Sequence, residues 1–187
     1  MYEIKEINTI DEKQISECVE IMWRTQGINV SSIESFKWAA TSPDALLLMA
    51  FDQGKVIGGA IGKVQDKDFD YYSPFGDEIV PKLLASKVGS LSIMGIDENY
   101  QGKGIGQQLS RKRIDWLKDK GCNVLIGISW VSGQLHTSNR VFEKMGFTAI
   151  KTIDQFFAES SIPMNLICPV CGVPPCLCAG TLYMKIL

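Results

Sequence analysis

The chain has 187 residues, 45% hydrophobic and 21% charged, which is enough apolar material for one core of ordinary domain size. Its 19 basic against 21 acidic residues leave a formal charge of −2, so nothing in the balance draws it to nucleic acid or to an anionic membrane surface. The stretch from Met1 to Ile7 alternates charge with Ile4 and Ile7 in place of a basic and then apolar leader, and apolar runs such as 45–50 are too short to span a bilayer. The expectation is one domain over 1–187 in the cytoplasm, with its six cysteines reduced; a homodimer is left open.

An opening strand leads to Thr9-Ile-Asp-Glu12, a capping-box pattern, after which Ile15, Cys18, Val19 and Met22 recur at helical spacing. Cys18 therefore reads as a small buried hydrophobe. A second helix is predicted over Ser32–Ala40. Ala45–Phe51 and Val56–Ile61 around a Gly-containing turn read as a hairpin. The segment 66–87 is less regular, mixing Phe69, Tyr71, Tyr72 and Phe75 with acidic residues before Pro81 and a short helix. From Leu91 the pattern becomes strand (Leu91–Ile96), glycine-rich turn, helix through Lys120 and strand (Val124–Trp130). A crossover helix between consecutive strands makes this pair parallel and central. A helix over about Leu135–Met145 and strands over Phe147–Phe157 and Thr181–Leu187 complete a mixed α/β domain, with a cysteine-rich insertion at about 163–180.

In "MGIDENYQGKGIGQQL", Gly102, Gly104 and Gly106 alternate where a strand feeds a helix, so bare N–H groups and the positive end of the helix dipole face one concavity suited to phosphate. The spacing excludes a dinucleotide fingerprint, which would want Gly or Ala where Gln107 stands, and no G-x-x-x-x-G-K-[ST] occurs. Gln101-Gly-Lys-Gly104-Ile-Gly106 matches the [RQ]-x-x-G-x-[GA] signature, and here the chain resembles the GNAT (GCN5-related) N-acetyltransferase superfamily. The early helices, the hairpin, the βαβ unit and "NRVFEKMGF" from Asn139 to Phe147 extend the likeness. The resemblance implies a mostly antiparallel mixed sheet with a splayed parallel central pair and flanking helices. It also implies acetyl-coenzyme A held by Gln101, Gly102, Lys103, Gly104, Ile105, Gly106 and Gln107, with the pantetheine arm on the backbone at Met94 and Ile96, the thioester carbonyl finishing near Ile96, and Asn139 and Phe142 beside it.

One departure from the family is visible. Many members carry a tyrosine in a Y-E-K-x-G-F pattern, read as the acid for the thiolate, and here Phe142 stands there. His136, Ser138 and Asn139 stand nearby but none is assigned as the acid, His136 reading first as a solvated or helix-capping residue, and no base is evident: Ser90, Ser92 and Met94 hold the positions where one would be sought, and Asp77 and Glu78 read equally well as a solvated loop. The expected activity is transfer of acetyl from acetyl-coenzyme A to a small-molecule or peptide amine by direct attack in a ternary complex. Trp23 and Trp38, with the aromatic and acidic residues of 69–78, would suit a cationic amine. The alternative is a non-catalytic acyl-coenzyme A-binding domain acting as a sensor or interaction module.

Cys168-Pro-Val-Cys171-Gly has the shape of a zinc knuckle, and Cys176-Leu-Cys178 would complete a site of four thiolates. C-x-C is a tighter spacing, so one thiol standing aside is left open. Pro163, Pro169, Pro174 and Pro175 argue against regular structure in this segment, and the expected role of one zinc is to order it beside the acceptor site.

Overall fold

A computed structural model describes residues 2–131 and 138–187, with Phe69 by its backbone alone. In chain order these form β1 (Tyr2–Ile7), α1 (Glu12–Gln26), α2 (Ile33–Thr41), β2 (Ala45–Asp52), β3 (Lys55–Val64), α3 (Phe69–Tyr72), α4 (Val80–Ala85), β4 (Val88–Ile96), α5 (Ile105–Asp119), β5 (Val124–Val131), α6 (Asn139–Lys144), β6 (Thr148–Ile153), α7 (Ala158–Met164) and β7 (Ala179–Ile186). Helix α1 is capped by Asp11, whose carboxylate accepts from Gln14 N at 3.1 Å, rather than by the predicted Thr9. Helix α2 carries a reciprocal capping box between Ser32 and Ser35. Among the described residues, no helix is long and apolar enough to cross a membrane.

The strands form one seven-stranded sheet in the order β1-β2-β3-β4-β5-β7-β6. Its pairs are antiparallel except β4 with β5, the parallel pair that the crossover through α5 demands. Strand β2 is buried along nearly its whole length because both faces are covered. Helices α1 and α2 pack on one face through Ile15, Met22 and Phe36, and α5 packs on the other through Ile105 and Leu109. The hairpin turn puts Gln53 and Gly54 at φ 50° and 80°, which matches the twist of the two strands it joins.

The C-terminal third departs from the sequence reading. The predicted strand to Phe157 ends at Ile153, and helix α7, absent from the sequence reading, runs from Ala158 into the start of the predicted irregular segment, with Pro163 inside its last turn, where the missing N–H interrupts little. Of the predicted helix from Leu135, the described part is α6; His136 lies outside the described residues.

Two register details decide what the centre of the sheet can do. Gly62 pairs with Leu91 and Ala60 with Met94, so Ser92 and Ile93 together oppose Ile61 and form a bulge in β4. The β4–β5 ladder runs only from Val88–Val124 to Leu91–Gly127, after which β4 stays with β3 and β5 stays with β7. At the fork, Phe142 lies flat against Tyr183, with ring centroids 4.8 Å apart and planes at 9°, and fills the space over Gly127. A Cβ at Gly127 would overlap the Phe142 ring. Gly127→Ala is therefore expected to lower stability by about 1–3 kcal/mol, the usual cost of overpacking a core. Adding Phe142→Leu should recover part of the loss, as read from paired thermal melts; additive losses would contradict this contact.

Candidate active site

The candidate site begins with the turn between β4 and α5. Gly102 and Gly104 sit at φ 75° and 82°, conformations that cost glycine little, and Gly104 is the left-handed N-cap residue of the fifteen-residue α5. The first amides of α5 thus open forward with the dipole behind them. A second tie holds the turn from beneath. Asp97 is buried, accepts from Asn99 N and Nδ2 at 3.1 Å, and meets Arg24 Nη2 of α1 at 3.2 Å. Burial alone would raise its carboxyl, but these donors hold it below its ordinary range.

The splayed edge of β4 supplies the next part. Asp97 N–H donates to Ile57 O at 2.9 Å, which fixes the alternation so that Gly95 and Asp97 turn to β3 while Met94 and Ile96 turn away from it, toward the fork. Side chains meet both carbonyls: Gln26 Nε2 donates to Met94 O at 2.7 Å, and Gln101 Nε2 to Ile96 O at 3.0 Å. A strand edge with addressable N–H and C=O groups is a surface onto which an amide-bearing arm can add as another strand would.

Turn and edge share one cleft of about 660 Å³. Of the residues singled out in the sequence, Met94, Ile96, Gln101, Gly102, Gly104, Ile105, Gly106, Gln107 and Phe142 line it. Lys103 is not on its wall and lies over the Tyr100 ring at 4.6 Å; Asn139 is also off the wall, with a buried Oδ1 that has no partner among the described residues. Gln26 and Arg113 also line it without having been singled out in the sequence, and Tyr71 reaches it from the segment read as suiting an amine. Arg113 had a signal, since Ile105, Leu109 and Leu117 share its four-residue spacing and make that stripe of α5 the buried one.

A second cavity, about 820 Å³, lies between α1, α2 and β4, with Trp23, Trp38, Glu34 and Lys63 in its wall; it shares Val30, Ser92 and Ile93 with the first. Trp38 already carries Lys63 Nζ, 5.4 Å from its ring centre, and Trp23 Nε1 donates to Ser31 O at 2.8 Å, so these aromatics are engaged within the protein.

The four C-terminal cysteines come together. All four Sγ atoms lie within 4.8 Å of one another, with Cys168–Cys178 at 3.8 Å and Cys171–Cys178 at 3.4 Å. Val170 N and Cys171 N both donate to Cys168 Sγ at 3.4 Å, and against the upward push of burial these amides lower the Cys168 thiol. Burial raises Cys178. The preceding residues pair with the loop after α1: Ile28 and Ile167 exchange backbone hydrogen bonds at 3.1 and 3.0 Å, and Asn29 Nδ2 donates to Asn165 O at 3.0 Å. Cys168 and Cys176 also line the first cleft.

The profile described as "Acetyltransferase (GNAT) family" matches residues 15–147. The chain belongs to the GNAT acetyltransferase family. As a member it is an acetyl-coenzyme A-dependent acyltransferase. Its fold is similar to that of the NatC complex bound to Gag peptide and coenzyme A, with TM-score 0.69 and 13% identity over 100% of this chain and 98% of that one. The ribosomal-protein-S18-alanine N-acetyltransferase of Escherichia coli gives 0.64 and 15%, covering 100% and 94%. NAA60 of Arabidopsis thaliana in complex with a bisubstrate analogue gives 0.67 and 13%, covering 100% and 99%. A search of curated protein sequences finds no match.

Phe142, which the sequence reading set against a tyrosine of the family, is fixed by aromatic packing, edge-on to Phe147 at 5.3 Å as well as flat on Tyr183. Nearby Ser138 shares a 2.7 Å hydrogen bond with Ser129. A Cβ at Gly104 would touch no protein atom within 4 Å, so a side chain there would project into the open space before α5. Gly104→Val should cost about 1–3 kcal/mol of backbone strain and abolish acetyl-coenzyme A binding in calorimetry. A folded variant that binds as tightly as wild type would remove the turn from the cofactor site.

Proposed function

We propose that the protein is an N-acetyltransferase in which an amine attacks the thioester of acetyl-coenzyme A directly, without a covalent enzyme intermediate. The observation that carries this reading is the end of the β4–β5 ladder at Leu91–Gly127, on the same cleft as the open glycine turn. Pyrophosphate rests on the amides of 102–107. The pantetheine arm leaves that turn along β4, meeting Ile96 first and Met94 next, so the thioester carbonyl finishes in the stretch between Ile96 and the bulge at Ser92–Ile93. Acceptor amines arrive through the second cavity, which meets the first at Ser92 and Ile93. The amine nitrogen forms the new C–N bond, the C–S bond breaks, and the thiolate leaves. The amine's proton departs through water in this open cavity, where Glu34 is the one carboxylate among the lining residues; Asp77 and Glu78 line neither space. Peptide and bisubstrate ligands in structurally similar proteins fit an amine or peptide acceptor.

Mixing purified protein with acetyl-coenzyme A and a panel of polyamines, amino acids and peptides should release free thiol and acetylated amine in equal amounts. Cofactor binding without release across the panel would favour the non-catalytic sensor. Phe142→Tyr should leave turnover unchanged, or raise it if thiolate protonation limits the rate; a large loss with cofactor binding intact would show that the apolar ring itself is required.

The cysteine cluster fits a zinc ion. Tetrahedral Zn–S bonds place sulfurs about 3.8 Å apart, and Cys168–Cys178 stands at 3.8 Å. Cys168, Cys171, Cys176 and Cys178 would hold one structural zinc that orders 165–178 against the loop after α1, leaving the chemistry to the cleft. Elemental analysis should find about one zinc per chain. Cys168→Ser with Cys171→Ser should lose the metal and loosen the C-terminal segment while acetyl-coenzyme A still binds; metal-free wild-type protein of equal stability would contradict the assignment.

A further inference from the structure

Arg113 is the anomaly of the interior. Its residue is 2% exposed, and among the described residues no carboxylate pairs with it. Instead Nη1 donates to Ile61 O at 3.1 Å and reaches Ile93 O at 3.5 Å, while Nη2 lies 3.2 Å from Ser110 Oγ and 3.5 Å from Met94 Sδ. Among the described residues Nε has no partner. Holding a charge in such a place costs several kcal/mol unless something offsets it. Burial pushes the guanidinium down to about 9, which still leaves it charged at neutral pH.

The location explains what that charge meets. Ile61, Ser92 and Ile93 are the residues of the bulge, and Arg113 also lines the cofactor cleft. A trans peptide points its C=O and N–H in opposite directions. The unit joining Ile93 to Met94 therefore presents its carbonyl end to the guanidinium and its N–H end to the fork, where the alternation of β4 already directs Met94. A cation at the carbonyl polarises the whole peptide group and strengthens its N–H as a donor.

We propose that Arg113 is a positioning residue that sets the bulge and polarises the Ile93–Met94 peptide toward the thioester carbonyl, so that the negative charge of the attack forms against an electropositive floor. This rests on the acetyltransferase reading above. It supplies electrostatic help on the oxyanion side in a site whose tyrosine position holds Phe142, and the developing oxyanion offsets the buried cation at the moment of reaction. Arg113 itself moves no proton.

The test needs no acceptor. Infrared spectra of carbonyl-labelled acetyl-coenzyme A are recorded free, on wild type, on Arg113→Met and on Arg113→Lys, with binding of each measured by calorimetry. The expectation is a thioester stretch shifted to lower frequency on wild type, most of that shift lost on Arg113→Met at an affinity within about threefold, and part of it kept on Arg113→Lys. Once an acceptor is in hand, Arg113→Met should lose about tenfold or more in kcat with KM for acetyl-coenzyme A little changed, in line with loss of an oxyanion contact. A shift of equal size on Arg113→Met overturns the proposal. If that variant does not fold, wild type still decides: bound acetyl-coenzyme A with an unshifted carbonyl overturns this inference alone, whereas failure of wild type to bind acetyl-coenzyme A overturns the parent reading as well.

Discussion

One extra residue in β4 governs the rest of the molecule. Without the bulge at Ser92–Ile93, the alternation that pairs Leu91 with Gly127 would run on, and Met94 and Ile96 would turn their peptide groups toward β3. With it, the N–H and C=O groups of two successive outward positions face a fork that β5 has left. Sheet and site are thus the same object. An interior that satisfies almost every backbone group leaves this strip to be satisfied by Gln26, by Gln101 and by whatever binds the cleft.

Around that strip, each neighbouring element contributes one physical property. Helix α5 brings a dipole and open amides at its start and a buried cation further along. Helix α1 brings Gln26 to Met94 and Arg24 to Asp97, tying the helix on one face of the sheet to both the β4 edge and the glycine turn. Phe142 covers the end of the β4–β5 ladder, filling the space over Gly127 and lying flat on Tyr183, the β7 partner of Gly127. The cysteine segment buttresses the loop after α1 through the Ile28–Ile167 bridge, so the wall shared by the two cavities is braced by residues far away in sequence.

What could be read in the amino-acid order follows a physical rule. Local signals were legible: alternating glycines need only a strand before them and a helix after, the apolar run at 124–130 marks a central strand, and the four thiols between Cys168 and Cys178 meet whatever the tertiary fold. The bulge was not legible, because register depends on partner strands and Ser92-Ile93 carries no mark of its own. Helix α7 was missed because Pro163 reads as a breaker, although near a helix end it removes little. The Ile28–Ile167 pairing is long-range and leaves no periodic trace. Arg113 falls between these cases: its place in the stripe of Ile105, Leu109 and Leu117 announced burial, but the carbonyls it meets belong to β3 and β4.

The central claim is that Met94 and Ile96 hold their backbone groups ready for the cofactor arm while their neighbour Gly95 is committed to β3. Residue-resolved amide hydrogen exchange, with and without saturating acetyl-coenzyme A, addresses it directly. The account predicts that exchange at Met94 and Ile96 slows on binding while Gly95, already paired, is unchanged. Equal protection of all three, or protection confined to the glycine turn with Met94 and Ile96 unaffected, would contradict the role assigned to the splayed edge.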